Sequence, residues 1–158
     1  MARETLGKIL WLLSVAKDQL ATETVVLSVQ DRASRGVRTL QPETSFAGAS
    51  TEFIQSNEHF CDLVTRENRS VTVSAANSRS APRPCGFMTQ VKAQSYFGVP
   101  VRDASDRPIA GLAARSRPTR IWSARNQTDQ VMFASLTERV LAKKDVSTND
   151  AILSLLAS

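Results

Sequence analysis

Few side chains in this sequence can do covalent chemistry. Cys61 and Cys85 are its only cysteines and His59 its only histidine. Neither thiol belongs to a C-x-x-C pair, and one histidine beside two separated cysteines leaves too few soft ligands for a structural zinc site. No G-x-S-x-G elbow and no phosphate-binding P-loop occurs, and a hydrolytic zinc site lacks its second histidine. What the chain does have is arginine. Between Arg66 and Arg125 ten arginines and Lys92 face only Glu67, Asp103 and Asp106, while the flanks carry an acidic surplus. Such a basic middle attracts an anionic ligand, an acidic partner or nucleic acid, or it is simply a solvated face. Nucleic acid is the weaker expectation, because there is no helix-turn-helix, no zinc finger and no aromatic-rich strand for stacking bases.

The elements that must position these groups fit one domain over residues 1–158. A chain of 158 residues with 42% hydrophobic and 22% charged content can bury a core without staples. Its longest largely apolar run, Ile9 to Ala16, is too short to span a bilayer and poor as an export leader, with Glu4 before it. Two isolated thiols without an export signal read as reduced cysteines, so the expected location is cytoplasmic. Leu6, Leu10, Leu13, Ala16 and Leu20 recur at helical spacing, with Ile9 and Trp11 widening the stripe. The β-branched run Val25 to Val29 predicts a strand, with Val37 to Leu40 as its hairpin partner. Ser50 or Thr51 caps a predicted second helix through about Arg66, with Phe53, Ile54, Phe60, Leu63 and Val64 on its apolar face.

Val71 to Val73 reads as a short strand, Asn77 to Gly86 as a loop, and Phe87 to Ala93 as one or two helical turns. Tyr96 to Val101 and Ile109 to Ala114 read as strands joined by the turn Asp103 to Asp106. Helices are expected over Asp129 to Lys143, with Met132, Phe133, Leu136 and Val140 on one side, and over Asn149 to Leu156. The fold class is α+β: a central antiparallel sheet with flanking helices, the N- and C-terminal helices packed together.

Laid out in this order, the chain resembles a GAF domain, the family of small-molecule and chromophore sensors of signalling proteins. Four blocks carry the resemblance. His59-Phe60-Cys61-Asp62-Leu63-Val64 with Ser70-Val71-Thr72-Val73 is similar to the family's helix-then-strand entry to the binding region. Ser95-Tyr96-Phe97-Gly98-Val99-Pro100-Val101 is similar to its aromatic-x-G-x-P strand. Pro108-Ile109-Ala110-Gly111-Leu112 resembles the next strand, and Arg117-Pro118-Thr119-Arg120-Ile121-Trp122-Ser123 the segment before the last long helix. The resemblance covers about residues 5–142 and leaves 145–158 as a helical tail.

The resemblance implies a ligand over the sheet, roofed by the segment that maps to Asn77 through Gln94. The implied lining is Asn77, Arg79, Arg83, Cys85, Phe87, Met88, Val91 and Tyr96, where arginines beside an apolar floor would clamp a carboxylate or phosphate. The rival reading has Phe87, Met88 and Val91 plugging the core while the arginines face water. A bilin is not expected: photoreceptor members place a histidine directly after the attachment cysteine, and Gly86 follows Cys85. Haem ligation by His59 is not expected either. The free methionine-(R)-sulfoxide reductases are enzymes of this fold, but they use three cysteines where this chain has two.

The resemblance also implies a homodimer through the terminal helices, for which Leu6, Leu10, Leu13, Leu20, Met132, Leu136 and Val140 are the candidates, though these residues could equally cover the chain's own sheet. The expected function is therefore a non-enzymatic sensory module that binds a small, anionic ligand and acts through a separate signalling partner. The alternatives are a ligand-free dimerisation module and a thiol-based redox enzyme.

Overall fold

A computed structural model describes residues 2–42, 49–54, 60–74 and 93–157. The long N-terminal helix α1 (Ala2–Leu20) leads into strands β1 (Thr24–Asp31) and β2 (Gly36–Pro42). Strand β3 (Ala49–Ile54), helix α2 (Phe60–Glu67) and the three-residue strand β4 (Val71–Val73) follow. Strands β5 (Ser95–Arg102) and β6 (Pro108–Ser116) then lead to helices α3 (Ala124–Lys143) and α4 (Asn149–Ala157). The strands form one sheet in the order β3-β2-β1-β6-β5-β4, and every neighbouring pair is antiparallel.

Side chains alternate across that sheet, so each strand feeds two different layers. Val25, Leu27 and Val29 of β1, Leu40 of β2, Phe97, Val99 and Val101 of β5 and Leu112 of β6 form the main core. Onto them pack Ile9, Leu13 and Leu20 of α1, Phe133, Ala134 and Leu141 of α3, and Ile152 of α4. Helix α1 lies along α3 and also touches α4, so the terminal helices share one layer. The opposite face carries a smaller cluster of Val26, Val71, Val73, Tyr96 and Ala113, with Val64 and Leu63 of α2 over it.

Helix α1 ends in a Schellman turn: Thr22 N donates to Lys17 O and Ala21 N to Asp18 O, with Ala21 left-handed at φ 51. An alanine in that conformation carries strain that glycine would not.

Three sequence expectations need correction. Residues 50 to 54 are strand β3, not the start of a helix, because they pair in register with β2 from Val37↔Ile54 to Pro42↔Ala49. Among the described residues the helix is Phe60–Glu67. Helix α3 starts five residues earlier than expected, at Ala124, because Ser123 and Asn126 form a reciprocal capping box. The apolar stripes are also rotated. Trp11 is 65% and Met132 47% exposed, whereas Leu12, Gln130, Thr137 and Leu141 face inward.

Candidate functional site

The second face of the sheet, the one that α2 partly covers, is floored by small residues. Register places Thr39, Ser28, Gly111 and Pro100 in one cross-strand row. The next row holds Val26, Ala113, Gly98 and Val71, and the one after it Thr24, Arg115, Tyr96 and Val73. Tyr96 fills the space above Gly98: a Cβ on Gly98 would sit 2.8 Å from two of its ring carbons. The glycine therefore lets the ring lie flat along β5 rather than stand up from the sheet. Helix α2 packs over β6, β5 and β1 on this face.

Beyond that apolar patch the floor is polar. Thr39 and Ser28 are buried, and the Thr39 hydroxyl has no hydrogen-bond partner among the described residues. Arg115 is only 7% exposed, and its Nη2 donates to Gln41 Oε1 at 3.4 Å. A buried hydroxyl without a partner costs about 1–3 kcal/mol, which a hydrogen bond to a bound water or ligand oxygen would recover. A guanidinium held in place beside hydroxyl and amide groups is the arrangement that recognises a carboxylate or phosphate bidentately.

At the end of the sheet lies a cavity of about 1040 Å³, where the β1–β2 turn, the second half of α2, the start of β6 and the N-terminus of α4 meet. Gln30 and Val37 line it, and they are the next residues on the same strand faces as Ser28 and Thr39. The cavity thus adjoins the polar floor. Arg32, Arg35 and Arg66 contribute positive charge to its wall, and Asp150 a carboxylate. Asp31 is also there, but Arg38 Nε donates to it at 2.8 Å and Ser34 N at 3.2 Å. The Arg38 hydrogen bond holds the Asp31 carboxyl below its ordinary value and neutralises it. At the other end of β1, Glu23 is likewise held down by hydrogen bonds from Arg117.

Two residues tie this face to the helices. Trp122 is buried; its indole Nε1 donates to Val73 O at 3.3 Å and its ring packs 5.6 Å from Phe97. Arg120 N donates to Ser74 O, just past β4, while its guanidinium bonds Leu20 O, Ala21 O and Asn126 Oδ1. The guanidinium also lies 4.4 Å from the Trp122 ring. The end of β4, the C-terminus of α1 and the first turn of α3 are thereby joined through one side chain.

Of the residues expected to line a ligand, Tyr96 is placed on this face, under α2. Asn77, Arg79, Arg83, Cys85, Phe87, Met88 and Val91 lie outside the described residues, as does His59. Of the expected interface residues, Leu13 and Leu20 are fully buried against the chain's own sheet and so are unavailable to a partner. Leu6, Leu10, Leu136 and Val140 are partly buried at the edge of that core, and Met132 is exposed. Thr39, Ser28, Gln41 and Arg115 were not singled out from the sequence. Their only signal is parity: Gly111, Ala113 and Arg115 alternate with the core residues of β6, which puts one arginine among small residues on the opposite face.

Comparison of the whole fold with solved structures decides its type. A GAF domain from an Acinetobacter phosphoenolpyruvate-protein phosphotransferase superposes with a TM-score of 0.62 at 13% identity, covering 90% of this chain and 94% of that one. The fold is that of a GAF domain. The blue-light-absorbing PixJ GAF domain of Thermosynechococcus elongatus is similar at TM-score 0.65 and 14% identity, covering 90% of each chain. The type II free methionine-R-sulfoxide reductase of Thermoplasma acidophilum is similar at TM-score 0.66 and 16% identity, covering 90% and 95%. At these identities the GAF likeness is one of fold. No family model matches the sequence, and no curated protein matches it. No helix among the described residues is long and apolar enough to cross a membrane.

Proposed function

We propose that this GAF fold is a sensory module that binds a small anionic molecule on the second face of its sheet and relays occupancy through the terminal helices to a separate protein. The observation that carries the reading is the wholly buried Thr39 hydroxyl, without a partner among the described residues, on the same face as Ser28 and the buried Arg115. A ligand oxygen within reach of that hydroxyl would satisfy it. The arginines around the adjoining cavity favour entry of an anion. Arg120 and Trp122 supply a physical link from β4 to α1 and α3.

The test is thermal unfolding of wild type and Thr39→Val with a panel of small carboxylates and phosphate monoesters. Valine keeps the shape and removes the orphaned hydroxyl, so the ligand-free variant is expected to be more stable by about 1 kcal/mol. A panel member at about a hundred times its Kd should stabilise wild type by about 2.7 kcal/mol and the variant by clearly less. A variant destabilised without ligand, or stabilised equally by every compound, would sink the assignment of Thr39.

Free methionine-R-sulfoxide reductases share the fold, which keeps a thiol-based reading in view. That reading requires Cys61 or Cys85. The sensory reading expects the double replacement Cys61→Ser and Cys85→Ser to leave ligand stabilisation intact, whereas thiol chemistry would be abolished by it.

A further inference from the structure

On the opposite side of the molecule, a groove of about 590 Å³ runs between α1 and α3. Its walls are apolar: Trp11 and Leu12 from α1, Leu136 and Val140 from α3. Gly7 lies in it with nothing within 4 Å of where a Cβ would stand, so the groove is unfilled at that point. Met132, one turn before Leu136, extends the apolar line along α3 and is itself exposed. Trp11 leaves 65% of its surface in water, which is unusual for a large ring at a helix–helix seam.

The rim of the groove is cationic. Lys8, Arg139, Lys143 and Lys144 surround it, against the single carboxylate of Glu4. Glu4 is already occupied by Lys8 at 3.3 Å. The hydrogen bond from Lys8, with the charge of Lys144 behind it, holds the Glu4 carboxyl below its ordinary value. Lys144 thus shares Glu4 with Lys8, and Arg139 and Lys143 face no other carboxylate among the residues that line the groove.

We propose that this groove docks an acidic amphipathic helix from a partner protein, with the apolar stripe of that helix on Trp11, Leu136 and Val140 and its carboxylates on Arg139, Lys143 and Lys144. A concavity between two helices matches the cylinder of a third, as in other helix-in-groove recognition. A second copy of this chain would bring the same net positive rim to the contact rather than the carboxylates that complement it. A flat anionic bilayer matches the charge but not the concave shape. The proposal does not depend on the ligand reading of the sheet, so either can fail alone.

The experiment uses the full chain and two synthetic helical peptides, each with leucines along one stripe, one carrying glutamates at all other positions and one carrying lysines. Trp11 fluorescence and calorimetry read the binding. The acidic peptide should bind roughly tenfold or more tightly than the basic one at low salt and weaken as salt is raised. It should shift Trp11 emission to the blue, and lose affinity in Lys143→Glu/Lys144→Glu and in Arg139→Glu. These are exposed positions, and unchanged melting of the variants shows that the fold is kept. Equal binding of both peptides, or binding of neither, overturns the proposal. So does a homodimer in sedimentation that Trp11→Ser breaks, or binding to phosphatidylserine vesicles in the absence of any peptide response.

Discussion

Gln130→Glu is expected to destabilise this protein by about 3–5 kcal/mol at neutral pH, the usual consequence of an uncompensated buried charge. Gln130 sits on α3, fully buried against the sheet, where its Nε2 donates to Leu112 O at 3.1 Å and approaches Phe97 O at 3.5 Å. A carboxylate there would face two carbonyl oxygens with no donor between them. Burial and those oxygens would both raise its folded-state pKa above the ordinary glutamate value of about 4.3. The folded variant then binds more protons than the unfolded chain between those two values. Its stability therefore falls as pH rises through that window and recovers below it, where a protonated carboxyl can donate to Leu112 O.

The control is Gln130→Met, which keeps the volume but removes both Oε1, without a partner among the described residues, and the Nε2 that donates to Leu112 O. Its cost should be about 0.5–1.5 kcal/mol, the net worth of that hydrogen bond, with no added pH dependence. Urea unfolding of the three proteins from acid to neutral pH makes the comparison. A Gln130→Glu profile parallel to that of wild type would contradict this account of the α3–sheet contact.

Trp122→Ala is expected to cost about 3–5 kcal/mol, a fall in Tm of roughly 10 °C for a domain of this size. The loss combines a buried ring, its contact with Phe97, its hydrogen bond to Val73 O and its stacking with Arg120. More specific than the total is its distribution. Among the described residues, the three-residue strand β4 has one sheet neighbour, β5, and Trp122 and the Arg120 backbone bond the carbonyls of Val73 and Ser74 at its end. Amide exchange should accelerate most around Thr72 to Ser74 and at the α1 C-terminus, where Arg120 loses the ring that positions it. Hydrogen-exchange mass spectrometry reads this directly. A uniform acceleration across the sheet would mean that Trp122 is ordinary core and not a tie between β4 and the helices.

Much of this architecture is legible in the sequence, for identifiable reasons. Strands β1, β2, β5 and β6 announce themselves because β-branched runs end at clear turns, such as Asp103 to Asp106, where Asp103 accepts from Ser105 N and Arg107 N. Helices α1 and α3 announce themselves by period. Strand β3 does not, because Phe53 and Ile54 followed by Phe60, Leu63 and Val64 imitate one helical face, and only pairing with β2 selects the strand. Trp11 misleads for a related reason: an aromatic beside a leucine stripe reads as core, while packing turns Leu12 inward and leaves the ring on the groove. The polar floor escapes a motif search altogether. Thr39, Ser28, Gln41 and Arg115 come from three separate strands, and only sheet register assembles them.

That assembly also gives a sequence of causes for the proposed function. Small residues in β6 and the glycine at position 98 keep the floor low. The arginine in β6 then stands on a buried surface shared with an unsatisfied hydroxyl. The edge of this face is tied by Arg120 to the two long helices that bound the groove beside Trp11. A ligand that binds differently to two arrangements of this edge is what would bias those helices.

The most direct measurement is native mass spectrometry of the purified chain beside its denatured spectrum, with Arg115→Met run in parallel. Wild type is expected to carry a small acidic molecule, either as purified or after incubation with pooled carboxylates and phosphate esters. That molecule should be released on denaturation and depleted in the variant. A wild-type protein that takes up none of them, or one whose adduct is unchanged by Arg115→Met, would contradict the assignment of the second sheet face as an anion-binding site.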